Sequence, residues 1–192
     1  FFSSEGLVYR LKAWKIPEGT ASSRGKSVSN VLQWKNHQSI SSIMPFPEDI
    51  SSKKDHHLIF VTSNGKIRKN NLEDFSSINS AGKIAMKLEQ DDKIAGVQIC
   101  RNDQDIILST KFGKSIRFES SKLRVFKGRS SKGIRGINLS KDDKIVSVSI
   151  IDHIKSSKKS KKDENISVDK FILSVTENGY GKRTAHYDYR VT

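Results

Sequence analysis

Four basic residues fall at the same distance from a glycine. The stretches FFSSEGLVYR (Phe1–Arg10), LIFVTSNGKIRK (Leu58–Lys69), IILSTKFGKSIR (Ile106–Arg117) and ILSVTENGYGKR (Ile172–Arg183) each join an apolar run to a polar turn with glycine. Counting four on from Gly6, Gly65, Gly113 and Gly179 reaches Arg10, Lys69, Arg117 and Arg183. Lysine and arginine neutralise phosphates and release their counterions. A cation repeated in every copy of a motif points to one row of charge, and such a row suits a long polyanion.

The candidate contacts form two sets. The first lies near the glycine turns: Arg10, Lys66, Arg68, Lys69, Lys114, Arg117, Lys182 and Arg183. The second flanks a recurring Ser/Lys-Gly element, seen as SSRGK (Ser22–Lys26), NSAGK (Asn79–Lys83) and SSKGI (Ser130–Ile134): Arg24, Lys26, Lys83, Arg129, Lys132 and Arg135. Glycine there would let backbone N–H groups approach a phosphate. The net charge of +14 and a pI near 9.9 agree with a polyanionic partner, nucleic acid first and an acidic membrane surface second.

Positioning these cations requires a repeated scaffold. The glycine spacings are 59, 48 and 66 residues, by subtraction along the numbering. Each unit reads as an apolar strand, a tight glycine turn, a second alternating strand, the Ser/Lys-Gly loop, a third strand (Ile84–Leu88, Ile134–Leu139), then an acidic turn into a fourth strand (DDKIAGV, Asp91–Val97; DDKIVSV, Asp142–Val148). Four strands in about 48 residues is the size of a propeller blade. The chain therefore reads as all-β, with units at 1–47, 58–100 and 106–151 and a partial unit at 171–192. The stretches 48–57 and 153–169 read as polar, lysine-rich insertions. The second is expected to be disordered, because it has too little apolar surface to offset the cost of ordering. The lysines Lys53, Lys54, Lys155, Lys158, Lys159, Lys161 and Lys162 are accordingly read as solvated linkers rather than contacts. Three full units do not close a ring, which suggests an excerpt of a larger ring or an open crescent.

Other features read as structural. His56 and His57 lack a surrounding ligand set for a metal. Asp91-Asp92 and Asp142-Asp143 recur ahead of a strand, where Asp bonds local backbone. Lys132–Gly136 lacks the spacing of a phosphate-binding P-loop. Trp14, Phe75, Phe126 and Tyr189 are expected to pack between blades rather than stack on bases. No apolar run is long enough to span a membrane. The single cysteine, Cys100, fits a small core residue in a reducing compartment, hence a cytoplasmic location.

At GRSSKGIRGINL (Gly128–Leu139) and ILSVTENGYGKRTAHYDYRV (Ile172–Val191) the sequence resembles the C-terminal domain of the DNA gyrase A protein. The same holds for Val8–Lys26 and Val61–Ala85, so the resemblance covers the chain apart from the two insertions. It implies a β-pinwheel, a propeller-like disc whose basic rim wraps double-stranded DNA without reading sequence. It also implies a parent type IIA topoisomerase that introduces negative supercoils with ATP and Mg²⁺, bound in other domains or subunits, and that works as a heterotetramer of two gyrase A and two gyrase B chains. The family's Gln-Arg-Arg-Gly-Gly-Lys-Gly box and its catalytic tyrosine are not in this sequence, so no catalytic role, cofactor or metal is assigned to any residue. Topoisomerase IV, which carries such blades, and a propeller that binds acidic proteins are the alternatives.

Overall fold

The computed structural model describes residues 1–34, 38–50, 53–153 and 170–192. The chain is all-β, with short 3₁₀ turns as the only helical elements among the described residues. The readings of 153–169 therefore fall outside the described residues, except at His153.

In each unit the apolar run and the segment after the glycine form a hairpin. These are β1 (Phe2–Ser3) with β2 (Leu7–Val8), β4 (His56–Thr62) with β5 (Lys66–Asn71), β8 (Gln104–Thr110) with β9 (Ser115–Glu119), and β13 (Phe171–Val175) with β14 (Gly181–Ala185). One device makes all four turns. A Ser or Thr three residues before the glycine uses its carbonyl to accept the glycine N–H: Ser3 at 3.2 Å, Thr62, Thr110 and Thr176 at 3.0 Å. Its hydroxyl accepts the N–H after the glycine, from Leu7, Lys66, Lys114 and Tyr180 at 3.1–3.2 Å. The glycines have φ near +80°, a region that disfavours other residues.

The fourth strand of a unit pairs antiparallel with its first: β3 (Ile40–Ser42) with β1, β7 (Ile94–Arg101) with β4, β12 (Ile145–Asp152) with β8. β7 packs against both β3 and β12, so the fourth strands form the hub. Gly96 permits that approach, since a Cβ on it would lie 2.6 Å from Val148 Cγ1. One core fills the space between the first two sheets, around Phe2, Phe60, Phe75 and Met86. Another fills the next space, around Ile59, Ile67, Ile106 and Val148. Phe2, Phe60 and Phe75 contact one another at ring-centroid distances of 5.4–6.4 Å.

The third segment departs from the sequence expectation. It forms only short strands, and these cross to the preceding blade. β6 (Lys83–Ile84) pairs with β2; β10 (Val125–Phe126) and β11 (Ile134–Arg135) both pair with β5. Val191 likewise bridges to Arg117 in β9. The outer edge of each of the first three blades is thus built by the next unit. A second correction concerns the first insertion: His56 and His57 begin β4 and are not part of a loop.

The exchanged segment depends on Gly133. Its φ is +77°, and a Cβ there would lie 2.4 Å from the Ile67 carbonyl oxygen. Gly133→Ala is expected to lower the unfolding free energy by about 2–3 kcal/mol, from backbone strain and the clash together. Denaturant titration of the two proteins measures this.

Candidate nucleic-acid interface

The row of cations four residues after the glycines is not a surface row. Lys69 and Arg117 are buried, Arg10 is half-buried, and Arg183 is exposed. The register explains this. Lys69 lies opposite Ile59, and Arg117 opposite Ile107, so both side chains turn into the space between blades. Three of the four reach the 3₁₀ turn that follows the second strand of the next unit. Arg10 Nη1 donates to the Ser76 carbonyl at 2.8 Å. Lys69 Nζ donates to the Ser120 carbonyl at 3.0 Å and to Asn102 Oδ1 at 2.5 Å. Arg117 Nη1 donates to the carbonyls of His186 (2.7 Å) and Tyr189 (3.2 Å). The column is an inter-blade clamp. Arg183 meets no such turn among the described residues and instead lies over the Phe171 ring, at 4.6 Å.

Arg68 is also removed from the surface. It lies over Phe60 and donates to the carbonyls of Arg129 and Ser131 at 2.8 Å, and to that of Ala85. Burial pulls its pKa down to about 10, which still leaves it charged near neutrality. Its neighbour Asn70 donates to the carbonyls of Phe126 and Gly128. Together they fasten the exchanged Gly128–Gly133 loop to β5. Three members of the first set, Arg68, Lys69 and Arg117, are therefore corrected from rim contacts to structural ties.

The two buried clamps differ electrically. Arg117 ion-pairs at 2.7 Å with the fully buried Asp105, whose other oxygen meets His153 Nδ1 at 2.8 Å. Counting back five from the turn threonine, Asp105 corresponds to His57 in the preceding unit. There, Lys69 has a histidine in place of a carboxylate. Burial, and then the Lys69 charge, push the His57 pKa below its ordinary 6.5. Burial lowers the Lys69 pKa and raises that of Cys100, whose thiol lies 3.2 Å from the Ser120 hydroxyl.

Four of the six cations of the second set are fully exposed. Arg24 and Lys26 are exposed on the Thr20–Ser27 loop; Lys132 and Arg135 are exposed on the exchanged segment; Arg129 and Lys83 are half-buried. Lys83 Nζ donates to the Ser77 carbonyl at 2.7 Å, and Arg135 to Asn138 Oδ1 at 3.1 Å. β11 places Arg135 directly opposite Lys66, which has Glu89 at 3.7 Å. From the first set, Lys114 and Lys182 are exposed, with Lys114 Nζ on Ser140 Oγ at 2.5 Å.

Further cations share this outside and were missed by motif reading. Arg124 and Lys127 are exposed on the same exchanged segment. Their signal is compositional: no Asp or Glu occurs between Glu119 and Asp142, while Lys122, Arg124, Lys127, Arg129, Lys132, Arg135 and Lys141 do. The stretch between Asp74 and Glu89 repeats this with Lys83 and Lys87. Lys93 and Lys144 were obscured by the aspartates beside them. The second aspartate of each pair bonds local backbone, Asp92 accepting from Lys93 N–H (2.9 Å) and Asp143 from Lys144 N–H (3.0 Å), and each also reaches the preceding glycine turn, at Asn64 N–H (2.9 Å) and Phe112 N–H (3.0 Å). Trp14, expected in a blade core, is 74% exposed with Lys12 Nζ at 5.3 Å from its ring, while Phe75 is buried. No group of three or more potential metal ligands occurs among the described residues.

Two outcomes follow from the clamps. Arg117→Ala is expected to cost about 3–5 kcal/mol of stability by stranding the Asp105 carboxylate. Arg135→Ala is expected to stay within about 0.5 kcal/mol; denaturant titration separates them. Because the folded His57 resists protonation, its contribution is complete above the ordinary value of 6.5 and declines as pH falls through it. In His57→Gln the fall in unfolding free energy from pH 6.5 to about 5 is expected to be shallower.

The sequence profile of the DNA gyrase C-terminal domain, beta-propeller, matches residues 1–32, 56–101, 104–152 and 170–192. The chain is 36% identical over 226 aligned positions to the DNA gyrase A protein of Rickettsia conorii, covering all of this chain and 25% of that protein. It is 35% identical to the DNA gyrase A protein of Staphylococcus epidermidis, covering all of this chain and 20% of that protein. The chain thus spans about a quarter of the length of the relatives it matches. Among solved structures, a DNA gyrase A C-terminal domain superposes with a TM-score of 0.75 at 25% identity, over all of this chain and 55% of that one. The C-terminal domain of DNA topoisomerase IV superposes with a TM-score of 0.80 at 21% identity, over all of this chain and 54% of that one, a likeness of fold. Profile, relatives and topology agree, and the chain belongs to the family of DNA gyrase C-terminal domains, the beta-propeller.

Proposed function

We propose that this chain binds duplex DNA along its outer edge, as part of a DNA gyrase A protein. One observation carries the reading. The acid-free segment between Glu119 and Asp142 folds onto the edge of the preceding blade and brings Arg124, Lys127, Lys132 and Arg135 to the exposed outside. Cations without local carboxylates are free to exchange counterions for phosphates. Such contacts hold the backbone and carry no base readout, so any sequence preference would come from how readily the DNA bends.

In this reading the curved edge wraps the duplex, and the parent enzyme introduces negative supercoils with ATP and Mg²⁺ bound elsewhere, alongside the gyrase B protein. The relatives named above, both gyrase A proteins, favour this over topoisomerase IV, whose likeness is one of fold.

The test is duplex binding measured across salt. The slope of log affinity against log salt is expected to shrink by about 0.9 for each phosphate no longer neutralised. The quadruple variant R124Q/K127Q/K132Q/R135Q should therefore bind more weakly and with a flatter slope, and equally so on different sequences. Affinity that is indifferent to salt, or unchanged in the variant, would overturn the reading.

A further inference from the structure

The four glycine turns are alike in backbone but not in what they display. The residue before the glycine is Glu5, Asn64 and Asn178 in three of them, and Phe112 in the other. Phe112 is 57% exposed. A lone exposed aromatic needs no explanation in general. This one stands on a turn with its donors satisfied. Lys111 N–H bonds the Lys144 carbonyl (2.8 Å), Phe112 N–H bonds Asp143 Oδ1 (3.0 Å), and Gly113 N–H bonds the Thr110 carbonyl (3.0 Å). Lys114 N–H bonds Thr110 Oγ1 (3.1 Å). The ring is therefore held out by a pre-set tip. On this turn and on the acidic turn bonded to it lie Lys111, Lys114, Lys141 and Lys144, all exposed, with Asp142 an exposed carboxylate among them. Lys144 also reaches across to Asn64 on the neighbouring turn.

We propose that Phe112 is an apolar wedge that enters a base step of bound duplex DNA, with Lys111 and Lys144 gripping the flanking phosphates. This rests on the DNA-binding reading above and adds a second contact face, the turn end of the blades, to the outer edge. Proteins that bend DNA commonly insert such side chains, unstacking a step to gain a kink that brings more phosphate into contact. Pyrimidine–purine steps yield most easily, so Phe112 would select TA and CA steps at one point of the path. A rigid tip suits the task, because little ordering cost falls on the protein when it inserts.

The probe is a linear duplex with 2-aminopurine beside TA steps and a fluorescent pair at its ends. The chain is expected to raise 2-aminopurine fluorescence and shorten the end-to-end distance. Phe112→Ala should lose the fluorescence rise and part of the shortening, while the salt slope stays the same. Phe112→Leu, still apolar, should keep both. The double variant K111Q/K144Q should lower the salt slope by about 0.9 per lysine. Matching melting temperatures verify that the exposed substitutions leave the fold intact. If Phe112→Ala unstacks and bends DNA as the parent does, the wedge is overturned and edge binding still stands. If the parent chain shows no salt-dependent binding, both readings fall.

Discussion

The architecture depends on cations taken out of water. A lysine or arginine in or just after the second strand of each of the first three units spans the gap to the next unit and donates to the backbone carbonyls of its 3₁₀ turn. A carbonyl oxygen has two lone pairs. The Ser120 and His186 carbonyls already accept the N–H groups of Leu123 (3.1 Å) and Tyr189 (3.3 Å) in their own turns, and the clamp from the neighbouring repeat unit adds a second donor to each. Because a guanidinium offers five donors in a fixed fork, Arg117 satisfies two carbonyls and a carboxylate at once. Lysine has three donors and no fork, and Lys69 relies on Asn102 and Ser120 instead.

Strand exchange follows the same logic. A repeat that sends its third segment to the previous blade makes every blade depend on its neighbour, as in other stacked arrays. The segment that crosses must lie close to the receiving strand, and glycine supplies the closeness: Gly82 abuts the Tyr9 ring and Gly133 the Ile67 carbonyl. Arg68 and Asn70 then hold the crossing loop by its carbonyls. Unit-to-unit ties of this kind favour cooperative unfolding across unit boundaries.

Periodicity made most of the fold legible. The glycine turns, the apolar first strands and the acidic turns were visible because each has a chemical reason: a positive φ, burial on both faces in the first three units, and a carboxylate that caps backbone N–H groups. The crossing was not visible, since nothing in Ile134-Arg135 says which β5-like strand it will meet. The site was half legible. Residues beside the Ser/Lys-Gly elements, such as Lys132 and Arg135, are exposed as the sequence suggests, because a loop rich in serine, glycine and lysine belongs outside. Arg68, Lys69 and Arg117 were misread because a cation in a strand looks the same whether it faces solvent or a neighbour's carbonyls. Register decides that, and register is fixed by partners distant in sequence.

That ambiguity bears on how charge is counted. The formal +14 includes Arg68, Lys69 and Arg117, which are buried and already bonded to carbonyls, an amide or a carboxylate. They do not exchange counterions with a duplex. Three buried carboxylates, Asp92, Asp105 and Asp143, offset them, so the net charge left to a partner stays near the formal value, and its cations are concentrated where carboxylates are absent. The exchange of segments matters here too. Arg124, Lys127, Lys132 and Arg135 belong by sequence to the third unit but stand on the edge of the second blade. A track laid down in this way bridges blade boundaries by covalent continuity, so its spacing does not rely on how rigidly two separate blades pack. For a ligand as stiff as the duplex proposed above, fixed spacing of phosphate contacts would let several weak interactions act together.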